Sequence, residues 1–192
     1  MKKTLLIGLI FLCTICCKAQ NILPVEKVIE YRNSETGIPQ NITQIKDLNG
    51  LLNKFIGIWK GDYNSKNYEF RIVKHTRQST TRNLSEDELL IRYKIIEANG
   101  TVLENTLDLA NDSPYVIHGS YLASSGSYVL YYQGKEHKCG QNGDVFIRVL
   151  NNTNDLKMKL FLNVAGEMYA DLCPNGAVQQ MLPTDLIDLT KQ

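Results

Sequence analysis

Eight short segments in which apolar and polar residues alternate follow one another along most of the chain. A period of two is typical of strands with one buried face, and Asn99-Gly100 between two of the segments is a hairpin signal. No helical pattern is long enough to cross between parallel strands. The sequence therefore predicts an all-β fold, an eight-stranded antiparallel up-and-down barrel. We expect its strands at residues 55–63, 68–74, 89–96, 101–108, 115–122, 127–132, 144–150 and 156–163.

The first of these strands carries the only tryptophan of the chain. Trp59 shares one face of the strand with Gly57 and Gly61, which bracket it. Glycine weakens a strand unless the strand must bend or another group must approach closely, so we expect a curved strand whose indole fills one end of the barrel. A buried tryptophan covers about 150–250 Å², which corresponds to at most roughly 4–6 kcal/mol.

Segments without a sustained period of two flank the predicted strands. Residues 20–46 read as an extended or loosely packed lead-in, with one strand or helical turn around residues 25–31. Asp47 is placed to cap a short helix, because Leu48, Leu51, Leu52 and Phe55 recur at three- and four-residue intervals. The barrel unit then covers residues 47–192, and we expect its tail from residue 166 to lie across the barrel.

The first 19 residues have the pattern of a signal peptide. Lys2 and Lys3 precede an apolar run at residues 4–17, and Cys17-Lys18-Ala19 offers a cleavage site after Ala19. The apolar run is shorter than the roughly 20 residues of a membrane helix, and no later segment approaches that length. The sequence predicts a secreted or periplasmic protein whose mature chain has no stable transmembrane segment.

A lipoprotein signal is the alternative interpretation of the same residues. Cys13, Cys16 and Cys17 lie in the apolar run and are candidates for lipidation. The residues directly before them are Leu12, Ile15 and Cys16, whereas a lipoprotein signal has a small residue there. The signal peptide without lipidation is the interpretation that we favour.

Charge argues against a nucleic-acid partner. Removal of residues 1–19, with Lys2, Lys3 and Lys18, changes the formal charge from +1 to −2 (1 − 3). The remaining Lys and Arg residues are scattered among acids, whereas a phosphate-binding surface clusters them. The sequence predicts no nucleic-acid binding.

Two cysteines, Cys139 and Cys173, remain after removal of the signal peptide. An isolated pair in an exported protein most simply forms a disulfide. The alternative is a reactive thiol or metal-binding pair, but neither residue has a histidine or a third cysteine at ligand spacing. We predict the Cys139–Cys173 disulfide.

Motifs of catalysis and of cofactor binding are absent from the sequence. It has no nucleophile elbow, zinc-binding His-Glu-x-x-His, phosphate loop or dinucleotide fingerprint. The histidines, His75, His118 and His137, lie on separate segments, so a metal site would need the fold to gather them. We therefore predict no catalytic residue, no metal and no cofactor.

The stretch Phe55-Ile56-Gly57-Ile58-Trp59 resembles the N-terminal motif of lipocalins and other calycin barrels. Gly57 and Trp59 are the matching residues, and the resemblance implies a barrel with one end closed by the tryptophan. From about Leu48 to the C-terminus the chain is also similar to uncharacterised exported bacterial proteins of lipocalin-like type. Two features depart from the lipocalin pattern. Leu130-Tyr131-Tyr132-Gln133 lacks the expected Asp, and the late Arg that stacks on the tryptophan has only Arg148 as a candidate.

Tyrosines are the one sequence feature that suggests a cavity. A buried phenol needs a hydrogen-bond partner, so several together favour a wet or ligand-holding interior. In the opposite register most of them would face outwards. The tyrosines that we expect inside are Tyr68, Tyr93, Tyr115, Tyr121, Tyr128 and Tyr132.

Two functions from different classes follow. The first is non-catalytic binding of a small apolar or amphipathic ligand inside the barrel. The second is a surface interaction or inhibitor module with a filled barrel, whose loops at residues 76–86 and 133–143 meet a protein partner. An enzyme on a barrel scaffold is a third class, but no motif supports it. The expected ligand lining is Phe70, Ile72, Ile91, Tyr93, Ile117, Tyr128, Leu130, Ile147, Met158 and Leu160.

Overall fold

Strands dominate the computed structural model, which describes residues 21–32 and 34–192. The predicted signal peptide and the candidate lipidation sites Cys13, Cys16 and Cys17 lie outside the described residues. No helix in the described part is long and apolar enough to cross a membrane. The strands are β1 (Ile22–Pro24), β2 (Gln44–Lys46), β3 (Gly57–Tyr63), β4 (Lys66–Gln78), β5 (Ser85–Glu97), β6 (Val102–Asn105), β7 (Ile117–Leu122), β8 (Tyr128–Gln133), β9 (Asn142–Val149), β10 (Lys157–Val164) and β11 (Ile187–Lys191).

Eight of these strands close into a ring. The order around it is β3, β4, β5, β7, β8, β9, β10 and β11, and β11 returns to β3. Every neighbouring pair in the ring is antiparallel. The predicted eight-stranded antiparallel up-and-down barrel is confirmed, and closure leaves no free edge in the ring.

For two strands, the position in the sheet differs from the predicted position. The predicted fourth strand, residues 101–108, is only the four-residue β6, and it shares one edge of β5 with β7. The eighth position of the ring belongs to β11, in the tail that we expected to lie across the barrel. Ile187 and Leu189 are buried while Asp188 is exposed, so this segment has the period of two that a barrel strand requires. It fills the space between the edges of β3 and β10.

The prediction of a short helix after Asp47 was wrong, although the predicted role of Asp47 as a cap was correct. Asp47 does accept hydrogen bonds from the backbone N–H groups of Leu51, at 2.7 Å, and Leu52, at 3.2 Å. Gly50 has a φ of +66°, in the left-handed region that interrupts a helix. The segment is therefore a series of turns that ends in one 3₁₀ turn at Asn53–Phe55.

The lead-in packs on the outside of the barrel. The α-helix α1 (Val28–Arg32) follows a 3₁₀ turn at Val25–Lys27, where we expected a strand or helical turn. β2 extends the sheet through parallel pairing with the start of β5. Arg82 donates hydrogen bonds to the carbonyl oxygens of residues 38, 39 and 42. These contacts hold the lead-in more closely than the sequence suggested.

Trp59 lies near the end of the barrel at which β3 begins, and its side chain is 0% exposed. Its indole N–H donates to the carbonyl of Phe55 at 2.8 Å. A Cβ on Gly61 would collide with the backbone carbonyl of Asp188, so β11 uses this glycine for a close approach. The cation over the indole is Lys191, with Nζ 5.2 Å from the ring. The Arg148 candidate was wrong, because residue 148 faces solvent.

The disulfide between Cys139 and Cys173 is present, with the two residues 34 positions apart. It joins the β8–β9 loop to the segment between β10 and β11. Closing a loop of this length stabilises the fold by about 4 kcal/mol in the chain-entropy model.

We expect replacement of both cysteines by serine to lower the free energy of unfolding by about 4 kcal/mol, because the unfolded chain regains the entropy of an open loop. Urea denaturation measures this loss. Parent protein under reducing conditions is the control, and it should unfold at the same urea concentration as the double variant. A loss below about 1 kcal/mol would show that the native contacts alone hold the two segments together.

Candidate functional site

The barrel interior contains the whole set of residues that we expected to line a ligand site. Each is at most 2% exposed and belongs to the main hydrophobic cluster. The predicted inward register is therefore correct for these positions, and their binding role stays a prediction. They are Phe70, Ile72, Ile91, Tyr93, Ile117, Tyr128, Leu130, Ile147, Met158 and Leu160.

Four of the six tyrosines expected inside are buried there, namely Tyr68, Tyr93, Tyr128 and Tyr132. The prediction was wrong for the other two. Tyr115 precedes β7 and is only half-buried, and Tyr121 packs under the guanidinium of Arg32, 4.3 Å from its ring centre. A bulge between Gly119 and Tyr121 shifts the register of β7, which reverses the face of the residues after it.

Aromatic rings form a continuous series at the end of the barrel where β3, β5, β8 and β10 finish. Tyr68 stacks on Phe70, with ring centres 5.9 Å apart. Phe70 contacts Tyr93 at 6.5 Å, and Tyr93 meets Tyr132 edge-on at 6.4 Å. We call this region, formed by Tyr68, Phe70, Tyr93, Tyr132 and the nearby Glu104, the tyrosine end.

Glu104 is the residue of the tyrosine end that the sequence analysis missed. It lies opposite Ile95, whose side chain is buried inside the barrel, so Glu104 also faces inwards. The residue is 4% exposed. The nearest cation is Lys135, whose Nζ lies 3.7 Å from Glu104 Oε1, too far for a hydrogen bond. No sequence pattern marks Glu104, because its face depends on the pairing of β6 with β5.

Buried polar atoms without a hydrogen-bond partner concentrate at this end. Among the described residues, four of the seven such side-chain atoms belong to the tyrosine end or to the segments that cover it, and a fifth belongs to Asn142, the first residue of β9. Each costs about 1–3 kcal/mol if nothing satisfies it, so a native protein usually places water or a ligand group there. The five are Tyr93 Oη, Tyr132 Oη, Glu104 Oε1, Asn142 Oδ1 and Gln180 Oε1.

The phenols of this end keep their protons at physiological pH. Burial raises the pKa of Tyr68 to about 12. Burial is also the largest cause of the raised pKa of Tyr93 and of Tyr132, and the neighbouring Glu104 carboxylate adds to both. Tyr93 and Tyr132 therefore present neutral O–H groups beside a carboxylate.

Two segments cover the tyrosine end, and we call them the cap: residues 134–141 and 166–184. Side-chain amides join them, since Gln141 donates to the carbonyl of Gln179 at 2.8 Å and Gln180 donates to that of Gly140 at 2.8 Å. Tyr68 Oη donates to the carbonyl of Met181 at 3.2 Å. The Cys139–Cys173 disulfide lies within the cap. The cap therefore closes the polar end of the interior.

A groove of 250 Å³ runs between the β3–β4 hairpin and the cap. Tyr68 is part of its lining and also the first ring of the aromatic series. The groove therefore reaches one ring of the tyrosine end from the surface. Its other lining residues include Tyr63, Lys66, Gln180 and Leu182.

The fold brings two of the histidines together on the outer face of the barrel. Nδ1 of His75 and Nδ1 of His118 each lie 3.4 Å from Oε1 of Glu88, which is 1% exposed. Arg77 Nε, 3.4 Å from Glu88 Oε2, compensates the carboxylate. His137 lies apart and contacts the carbonyl of Gly134. In the part of the chain that the structure describes, no group of three or more His, Cys, Asp or Glu residues is arranged to hold a metal ion.

A groove of 620 Å³ is on the outside of β9 and β10. Phe146 and Phe161 stack there with ring centres 5.0 Å apart. Leu186, 57% exposed, completes the apolar part of the groove. This surface is separate from the barrel interior.

Comparison with known proteins identifies a family and no activity. The model of a family of unknown function (DUF6705) matches residues 1–192, and the chain belongs to this family. Neither curated proteins nor solved structures include a match to the chain.

Proposed function

We propose that this DUF6705 chain is a secreted or periplasmic, non-catalytic protein that binds one small amphipathic molecule inside its barrel, with the polar part of the molecule at the tyrosine end. The observation that carries the proposal is the burial of Tyr93 Oη, Tyr132 Oη and Glu104 Oε1 close to one another, without a partner at hydrogen-bond geometry. A bound polar group would supply the hydrogen bonds that these atoms lack.

The chemistry of the interior supports an amphipathic ligand. The remaining inward side chains are aliphatic or aromatic, for example Ile91, Leu130, Ile147 and Met158. An apolar tail would contact these side chains, while the hydroxyls and the carboxylate hold the head group. The lipocalin-like stretch around Gly57 and Trp59 agrees with this interpretation, because a tryptophan that closes one end of the barrel makes the capped tyrosine end the route of access.

The close packing of the interior limits the size of the ligand. An eight-stranded barrel either fills with side chains or keeps room for one small molecule. Here the inward side chains are buried and in contact with each other. We therefore expect a small ligand, whose access through the groove beside Tyr68 requires a shift of the cap.

Binding of a short-chain panel tests the proposal. We expect the mature chain to bind at least one of 1-hexanol, hexanoate and hexylamine, measured by calorimetry and by a rise in melting temperature. Tyr132→Phe should weaken that binding about fivefold, because one neutral hydrogen bond is lost. Tyr131→Phe is the matched control, since residue 131 is the neighbour on β8 and is 50% exposed.

The proposal would be contradicted if no compound of the panel binds, or if Tyr131→Phe and Tyr132→Phe weaken binding equally. In that case the second candidate, a protein-interaction module with a filled barrel, becomes the better account. The exposed groove with the stacked Phe146 and Phe161 is the observation that favours it. The predicted contact loop at residues 133–143 is partly held in the cap, so the groove would be the more accessible surface.

A further inference from the structure

The charge balance of the tyrosine end indicates which head group it binds, if the function proposed above holds. We propose that the ligand is a small protonated amine, an alkyl- or arylalkylammonium ion, whose nitrogen binds to Glu104 beside the rings of Tyr93 and Tyr132.

The first argument is the buried carboxylate of Glu104, whose charge is only partly compensated. Glu104 is 4% exposed, and no Lys, Arg or His occurs among the buried residues of the described chain. A buried charge without a partner is costly, and a cation close to it recovers much of that cost. Among the described residues, the cation paired with Glu104 is Lys135, whose side chain is 60% exposed and whose Nζ lies 3.7 Å from Glu104 Oε1. A ligand with a positive charge would add the direct hydrogen bond that Lys135 does not make.

The second argument is the hydrogen-bonding capacity of the site. A primary ammonium group has three N–H donors and no acceptor. Each phenol O–H can donate to the Glu104 carboxylate, which leaves Glu104 Oε1 and the two phenol oxygens able to accept from the three N–H groups of an ammonium ion. A carboxylate head group would be repelled by Glu104, and a hydroxyl would leave the charge of Glu104 uncompensated.

The third argument is the aromatic surroundings. Phe70, Tyr93 and Tyr132 follow one another with ring centres 6.4–6.5 Å apart. Faces of aromatic rings attract cations, and the attraction is stronger where water is excluded. Rings and a carboxylate together favour an ammonium ion over a neutral group of the same size.

Lys135 has a distinct role in this arrangement. Its ammonium is near Glu104 Oε1 but 3.7 Å away, outside hydrogen-bond distance. It therefore partly screens the carboxylate without occupying the place of a ligand nitrogen. Its removal should strengthen the binding of an amine and leave the binding of a neutral analogue unchanged.

Calorimetric titration of the mature chain with hexylamine, 1-hexanol and hexanoate at pH 7 tests the inference. We expect hexylamine, which is protonated at this pH, to bind about tenfold or more tightly than 1-hexanol. Glu104→Gln should abolish this preference and leave hexanol binding within about twofold. Lys135→Ala should strengthen hexylamine binding about threefold or more. Glu136→Gln, at an exposed acid of the same loop, is the matched control and should change nothing.

The outcomes separate the inference from the proposed function. If 1-hexanol or hexanoate binds as tightly as hexylamine, the amine specificity is wrong while a ligand site in the barrel stands. If none of the three binds, the proposed function fails together with the inference. If Glu104→Gln does not fold, the Lys135→Ala variant still tests the inference. Unchanged affinity of the Lys135→Ala variant for hexylamine would overturn the role of Glu104.

Discussion

Removal of residues 187–192 should abolish cooperative unfolding of the barrel. These residues contain β11, which pairs with β10 on one side and with β3 on the other. Without β11 the ring opens and leaves two long unpaired edges, which are prone to association with other chains. The truncation also removes Leu189, which is 0% exposed, and Ile187, 5% exposed; each contributes about 1.5–3 kcal/mol by burial.

Urea denaturation followed by circular dichroism measures this effect, and size-exclusion chromatography detects association of the truncated chain. Leu186→Ser is the control, because residue 186 directly precedes β11 and is 57% exposed. We expect this variant to unfold like the parent. A truncated chain with the parental midpoint and a monomeric elution volume would show that β11 is dispensable for closure.

Trp59→Ala should lower the free energy of unfolding by about 4 kcal/mol, as large-to-small changes of buried aromatic residues do. The indole is 0% exposed and donates to the carbonyl of Phe55. The substitution leaves a cavity and also removes the partner of that carbonyl. The loss is comparable to a large part of the net stability of a single domain.

Circular dichroism is the suitable probe for this variant, since the only tryptophan of the chain is removed. Ile58→Ala is the matched control, because residue 58 is adjacent on β3 and its side chain is 39% exposed. We expect this control substitution to lower the free energy of unfolding by less than about 1 kcal/mol. Equal losses for the two variants would argue against a special role of the indole in closing the barrel.

The interior of the barrel was largely predictable from the sequence. Alternation along a strand assigns side chains to one face or the other, and length and turn signals predict the strands. Residues such as Phe70, Ile91 and Leu130 were therefore placed correctly inside. Tyr121 was placed on the wrong face, because the bulge before it depends on how β7 pairs with β8, which the local pattern does not contain.

The candidate site was less predictable than the barrel around it. Tyr93 and Tyr132 were expected inside, but their position beside Glu104 depends on which strands are neighbours. Residues far apart in sequence form the cap, which side-chain amides and the disulfide hold together. Contacts at such a separation leave no periodic signal in either segment.

By itself, the sequence determined the class of the fold, the inward face of most strands and the pairing of the two cysteines. The physical reason is that burial of one face imposes a period of two within each strand, and that period is a local property. Only the tertiary structure decided that β11 closes the ring, that β6 brings Glu104 inside and that the cap covers the tyrosine end. These features depend on which strand edges remain available once the other strands have paired, and that is a property of the whole chain.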